Sequence, residues 1–92
     1  MLRPKICQHL HSFDESQQKK PKAYECESCV KSGGTWVHLR TCQSCGVTLC
    51  CDSSPARHAS AHFTTTGHPI VTSAEPGERW AWCYADKSIL QF

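Results

Sequence analysis

Between Cys42 and His68 the chain sets out Cys42-Gln43-Ser44-Cys45-Gly46, then the Cys50-Cys51 pair, then His58, His62 and His68. Thiols and imidazoles at these offsets are the donor set of tetrahedral zinc, and Gly46 permits the sharp turn that follows a C-x2-C pair. Three flanking pieces extend the pattern: Cys7-Gln8-His9, a second C-x2-C at Cys26 and Cys29, and Trp82-Cys83-Tyr84. Two C-x2-C pairs each need two further donors, and Cys50, His58, His62 and His68 supply four. With Asp86 included the candidates number twelve: Cys7, His9, Cys26, Cys29, Cys42, Cys45, Cys50, His58, His62, His68, Cys83 and Asp86. Twelve donors make three tetrahedral sites and leave only Cys51, His11 and His38 aside. Spacing does not say which donor joins which ion. His58 and His62 are four residues apart, so they share a helix face and fit one ion or two lying on either side of it.

The rest of the composition explains why a chain like this needs such staples. Ile, Leu, Val and Phe together number fifteen of 92 residues, too few to offset the entropy of ordering the chain by burial alone. Three Trp and eight Cys argue against disorder, so metal or disulfide cross-links must replace part of the core. Disulfides would not explain histidines at fixed offsets from cysteines. The start of the chain lacks the apolar run of a secretory signal, and no apolar run approaches membrane-spanning length. The expected setting is therefore reducing and cytoplasmic, where thiols stay free for zinc. A net charge of +2 leaves no basic field for nucleic acid. The short Lys19-Lys20-Pro21-Lys22 run reads as a solvated loop.

Local signals predict a single domain over residues 1–92, of class α+β: a small zinc-stabilised antiparallel sheet with one central helix. Residues 1–10 read as extended or loop, residues 11–23 as a polar loop, and Cys26–Cys29 as a tight turn before Gly33-Gly34. Strands are expected over Thr35–Arg40, Val47–Leu49, Pro69–Ser73 and Arg79–Tyr84, with a turn at Glu75–Glu78. The helix is expected from Pro55 to Phe63, with Ser54 as N-cap, Pro55 at the first helical position and Gly67 closing it.

The order C-x-H, C-x2-C, Trp, C-x2-C-G, Cys, H-x3-H-x5-H-P and W-C-Y resembles the ubiquitin-specific-protease-type zinc finger, or UBP finger, from Cys7 to Asp86. That family occurs in some deubiquitinases, in one histone deacetylase and as short stand-alone bacterial proteins. The resemblance implies cross-braced sites. Cys26, Cys29, Cys50 and His58 would hold one zinc, and Cys42, Cys45, His62 and His68 a second. Cys7, His9 and Cys83 would hold a third, completed in the family by a cysteine and here by Asp86.

It also implies a function. UBP fingers bind the free Gly-Gly tail of ubiquitin in a deep pocket with aromatic walls. Here the candidate walls are Trp36, Trp82 and Tyr84, whose competing reading is core packing. Where ubiquitin binders carry Cys-Gly-Arg, this chain carries Cys50-Cys51-Asp52, and a carboxylate there should repel a carboxylate-ended tail. Arg40 and Arg57 are the candidates to supply positive charge from another direction. The expected partner is thus a protein C-terminal tail, of ubiquitin or a ubiquitin-like protein, bound by a monomer. The alternative is an interaction domain for another protein or peptide. An enzyme is not expected. Every zinc site closes with four protein ligands, and no H-E-x-x-H or deaminase signature is present.

Overall fold

The computed structural model describes residues 7–92. Five short strands form one antiparallel sheet: β1 (Leu39–Cys42), β2 (Thr48–Cys50), β3 (Ile70–Ser73), β4 (Trp80–Cys83) and β5 (Ser88–Gln91), in the order β2-β1-β3-β4-β5. Around it lie α1 (Gln8–His11), a 3-10 turn at Glu15–Gln17, α2 (Glu27–Ser32) and the longest helix, α3 (His58–Thr66). The α+β class is as expected, but two further helices accompany α3.

The differences have local causes. Residues 1–6 of the expected N-terminal extended segment lie outside the described residues. From Cys7 onward the chain turns helical, because the Cys7 sulfur accepts the Leu10 N–H and caps α1. Cys26–Cys29 is likewise more than a turn. The Cys26 sulfur accepts the Cys29 N–H at 3.3 Å, capping α2, and Gly33 ends it at φ 75°. The strand expected at Thr35–Arg40 begins only at Leu39, because the Val37 N–H goes to the Ser54 hydroxyl at 2.8 Å instead of to a ladder. That bond takes Ser54 away from helix capping. α3 therefore starts three residues later than expected, behind Arg57, a non-glycine residue at φ 47°.

β3 sits at the centre of the sheet and all four of its residues are buried. Beside it in the sheet, Thr41 of β1 and Thr48 of β2 pair their buried hydroxyls at 3.1 Å. Gln43 fastens the polar loop to this sheet. Its carbonyl oxygen accepts the Lys19 N–H at 2.8 Å, while its amide donates to Thr72 at 2.9 Å and to the Thr41 carbonyl at 3.1 Å.

The core falls into two clusters, each containing cysteines. Cys26, Cys29, Leu39, Leu49, Cys50 and Ala59 form one. Leu10, Ile70, Ala81 and Cys83 form the other, with Phe13, Leu90 and Phe92 packed against it. Side chains alternate faces along a strand. Ala81 and Cys83 of β4 therefore turn inward, while Trp82, opposite Val71 on β3 and Ile89 on β5, faces the other way.

Gly67 closes α3 at φ 77°, and a Cβ there would meet nothing within 4 Å. The cost of a side chain is thus conformational alone. Gly67→Ala is expected to lower stability by about 1 kcal/mol, read as a lower thermal midpoint of the zinc-loaded protein.

Candidate functional site: three Cys/His clusters and an aromatic pocket

The first cluster gathers Cys26 and Cys29 of the α2 turn, Cys50 at the end of β2 and His58 at the start of α3. Nδ1 of His58 lies 3.4, 3.3 and 3.5 Å from the sulfurs of Cys26, Cys29 and Cys50, and the last two sulfurs are 3.9 Å apart. Around a tetrahedral zinc with bonds of about 2.3 Å to sulfur and about 2.0 Å to nitrogen, neighbouring donors lie about 3.3–3.8 Å apart. The cluster fits that ion. All three cysteines are fully buried, and no pair is oxidised. Burial, with the neighbouring sulfurs of Cys26 and Cys50, pushes the Cys29 thiol up to about 12. A dication at the centre reverses that penalty, and backbone donors assist it: the His58 N–H points at the Cys50 sulfur at 3.2 Å.

The second cluster joins Cys42, at the end of β1, and Cys45, in the β1–β2 turn, to His62 of α3 and to His68 just beyond it. Cys42 lies 3.7 Å from Nδ1 of His68, Cys45 lies 3.4 Å from Nε2 of His62, and the two imidazoles approach to 3.3 Å. Burial, and then the charge of His68, lowers the pKa of His62, favouring the neutral ring that a metal takes. His58 and His62, which spacing alone leaves free to share an ion, thus belong to different clusters. The clusters alternate along the chain, so α3 is tied to both halves of the cysteine array.

The third cluster joins Cys7 and His9 to Cys83 and Asp86. Nδ1 of His9 is 3.5 Å from the Cys83 sulfur and 3.0 Å from the Asp86 carboxylate, and that carboxylate is 3.7 Å from Cys83. Two sulfurs, one nitrogen and one oxygen form an acceptable zinc set. This cluster is the most open, with the His9 and Asp86 side chains 47% and 45% exposed. Hydrogen bonding from His9 holds the Asp86 carboxyl below its ordinary range, so it stays an anionic donor.

Cys51 stands outside all three clusters. It is buried, with its sulfur 3.6 Å from the Ser54 hydroxyl.

Beside the first cluster a cavity of about 200 Å³ is lined by Arg40, Asp52, Trp80, Trp82, Tyr84 and Ile89, with Cys51 and Ser53. Three of the expected binding residues, Arg40, Trp82 and Tyr84, meet here. Trp36 is not in that lining; it packs against the first core cluster, as Tyr84 also does. Arg57 is absent from the lining too, since it serves as the left-handed residue before α3. Trp80 and Ile89 are additions. The i, i+2 relation of Trp80 to Trp82 on one strand could have revealed Trp80. Ile89 arrives on β5, which the sequence reading did not contain.

The walls are fixed from behind. Tyr84 stacks on Phe63 of α3 at 5.5 Å and meets Trp82 edge-on at 6.4 Å. The Arg40 guanidinium lies 4.5 Å over Trp80. Burial pushes the Tyr84 hydroxyl well above its ordinary pKa, as does the charge of Asp52, with Arg40 opposing. A wider depression of about 580 Å³ lies between α1 and the β1–β2 turn, with Phe13, Gln43 and Ile70 in its lining. It shares only His9 with the metal clusters.

The comparisons agree with this arrangement. Residues 26–91 match zf-UBP, the Zn-finger in ubiquitin-hydrolases and other protein. A 66-residue stretch, 72% of this chain, is 35% identical to the NAD-dependent deacetylase sir2A of Dictyostelium discoideum. It spans only 12% of that longer protein. The solution NMR structure of protein RPA1320 from Rhodopseudomonas palustris superposes with a TM-score of 0.80 at 43% identity, over 97% of this chain and 84% of that one.

Cluster membership predicts unequal roles for two buried cysteines. Cys29→Ser is expected to abolish the cooperative thermal transition, because metal binding and folding are coupled. Cys51→Ser is expected to keep it at a cost of about 1–2 kcal/mol. Circular dichroism melts with and without a chelator would read both effects, with chelation mimicking Cys29→Ser.

Proposed function

This chain belongs to the zf-UBP family of zinc fingers, and we propose from that premise that it is a non-catalytic interaction module. It holds three zinc ions and receives the C-terminal tail of ubiquitin or a ubiquitin-like protein. The observation that carries this reading is the pocket of Arg40, Trp82 and Tyr84 set against a cross-braced metal scaffold.

Zinc supplies cross-linking here, and the protein's own groups do the recognising. Each cluster offers four protein donors, so no coordination position is left for a substrate. A slender tail passes between Trp82 and Tyr84, whose rings contribute contact area at small entropic cost. Arg40 is the one cation in the lining among the described residues. Its Nη1 donates to the Leu39 carbonyl at 2.9 Å, which leaves other N–H groups at the edge of the guanidinium to meet a carboxylate with charge-assisted hydrogen bonds. A reducing, cytoplasmic setting suits eight thiols. Among the described residues no helix is long and apolar enough to cross a membrane.

Asp52 favours a second reading, a different chain end from that of ubiquitin, because it places an anion at the same pocket.

Calorimetric titration with intact ubiquitin, and with ubiquitin lacking its last two glycines, tests the first reading. Heat with the intact form alone is expected, and silence with both would remove ubiquitin as the partner. Arg40→Ala and Trp82→Ala should each weaken tail binding by about tenfold or more. Elemental analysis should return three zinc ions per chain, falling to two in Asp86→Ala with the fold retained.

A further inference from the structure

The three clusters do not shield their sulfurs equally. Among the described residues Cys45 is the one exposed cysteine; Cys7 is half-buried, and the other six are buried. The exposed sulfur sits in the β1–β2 turn, beside Gly46 at φ 82°. Its partner Cys42 lies inside, 2% exposed at the end of β1. The backbone holds Cys42 from both sides. Its N–H donates to the Val47 carbonyl and its own carbonyl accepts the Gly46 N–H, each at 2.8 Å. The ligand atoms of the two residues lie within 4.8 Å of each other. One sulfur thus meets solvent, and a second, firmly held, stands directly behind it.

A cysteine reacts with oxidants when it is a thiolate and can be reached. Service as a zinc donor makes a thiolate of every cysteine in the clusters. Cys45 is the one that also meets the second condition. The first cluster offers three sulfurs, all fully buried. In the third, Cys7 is half-buried and Cys83 fully buried. Cys51 is buried and belongs to no cluster.

We infer that Cys42 and Cys45 form a peroxide-reactive pair, in which Cys45 reacts first and Cys42 closes a disulfide that releases the second zinc. The Cys45 thiolate attacks one oxygen of hydrogen peroxide. An S–O bond forms, the O–O bond breaks, and hydroxide leaves and takes up a proton to become water. The sulfur, two electrons poorer, is now a sulfenic acid. The Cys42 thiolate attacks that sulfur, the S–S bond forms, the S–O bond breaks, and a second hydroxide leaves as water. In sum, two thiolates, one peroxide and two protons give one disulfide and two waters. His62 and His68 are then the only donors left in the cluster, too few for a closed zinc site. α3 stays fixed at its first residue, because His58 belongs to the first cluster. Its far end is released. None of this depends on what the aromatic pocket binds.

The test treats the zinc-loaded chain with hydrogen peroxide, from one equivalent upward. A chromogenic chelator measures zinc release, tandem mass spectrometry after alkylation locates the disulfide, and hydrogen exchange reports on α3. The first zinc is expected to leave about tenfold faster than the others. The first disulfide should join Cys42 to Cys45, with Cys51 still open to alkylation once the chain is denatured. Amides of residues 63–66 should then exchange faster while those of the sheet do not. A thiol reductant with added zinc should reverse all three changes. Cys45→His keeps a donor in the turn but no sulfur, and should slow release of the second zinc by about tenfold. If that variant fails to load zinc, the disulfide map of the unaltered chain still decides. A first disulfide between Cys7 and Cys83, or one that includes Cys51, overturns the inference. So does a Cys42–Cys45 disulfide that forms without loss of zinc, or oxidation no faster at this pair than in the buried first cluster.

Discussion

Three buried sulfurs and one imidazole within 4.8 Å of one another form the constraint on which the rest of the molecule depends. Without a cation the arrangement is unfavourable for Cys29, whose thiol is pushed up to about 12 by burial and the neighbouring sulfurs. With one, α2, β2 and α3 are joined at a single point. The elements so joined are too short to be stable alone: α2 has six residues and β2 three. Two sulfurs also cap α1 and α2, so the donors that serve a metal also organise the backbone around it.

Much of this was legible in the sequence, because metal-ligand spacing is a short-range signal. The twelve donors are visible by type and order, and Gly46, Gly67 and the Pro69–Ser73 strand follow from simple local rules. What was hidden depends on contacts between distant residues. Ser54 beside Pro55 reads as a helix start until Val37 claims its hydroxyl. Thr35–His38 reads as a strand, but Val37 bonds to a loop. A cysteine is not ordinarily counted among capping residues, so α1 and α2 pass as a loop and a turn. The assignment of His58 and His62 to separate clusters came from the family resemblance, since their spacing fits either arrangement. β5 is short, half-buried and follows a turn with Lys87 at φ 54°. It carries little signal without Trp82 opposite it.

The pocket inherits its rigidity from the metal scaffold. Phe63 lies on α3 between the helix's two histidine ligands and Gly67, and it backs Tyr84. Arg40 sits one residue after Leu39 of the first core cluster. The pocket side chains are thus mounted on parts that the clusters hold together, so their rotamers are already restricted. A domain with so few large apolar residues can still present a well-formed concave surface, because cross-links at its base do what a larger core would otherwise do.

The third cluster joins residues 77 positions apart, whereas the longest spans recorded within the first two are 32 and 26. Closing a longer loop costs more chain entropy, here on the order of 1 kcal/mol beyond the shorter ones. This cluster also recruits a four-residue helix that lies against β4 and β5. Cys83 of β4 belongs to this cluster, so it ties the N-terminal segment to the half of the sheet that carries no donor of the other two. A segment at one end of the chain is thereby made part of the same sheet as residues near the other end.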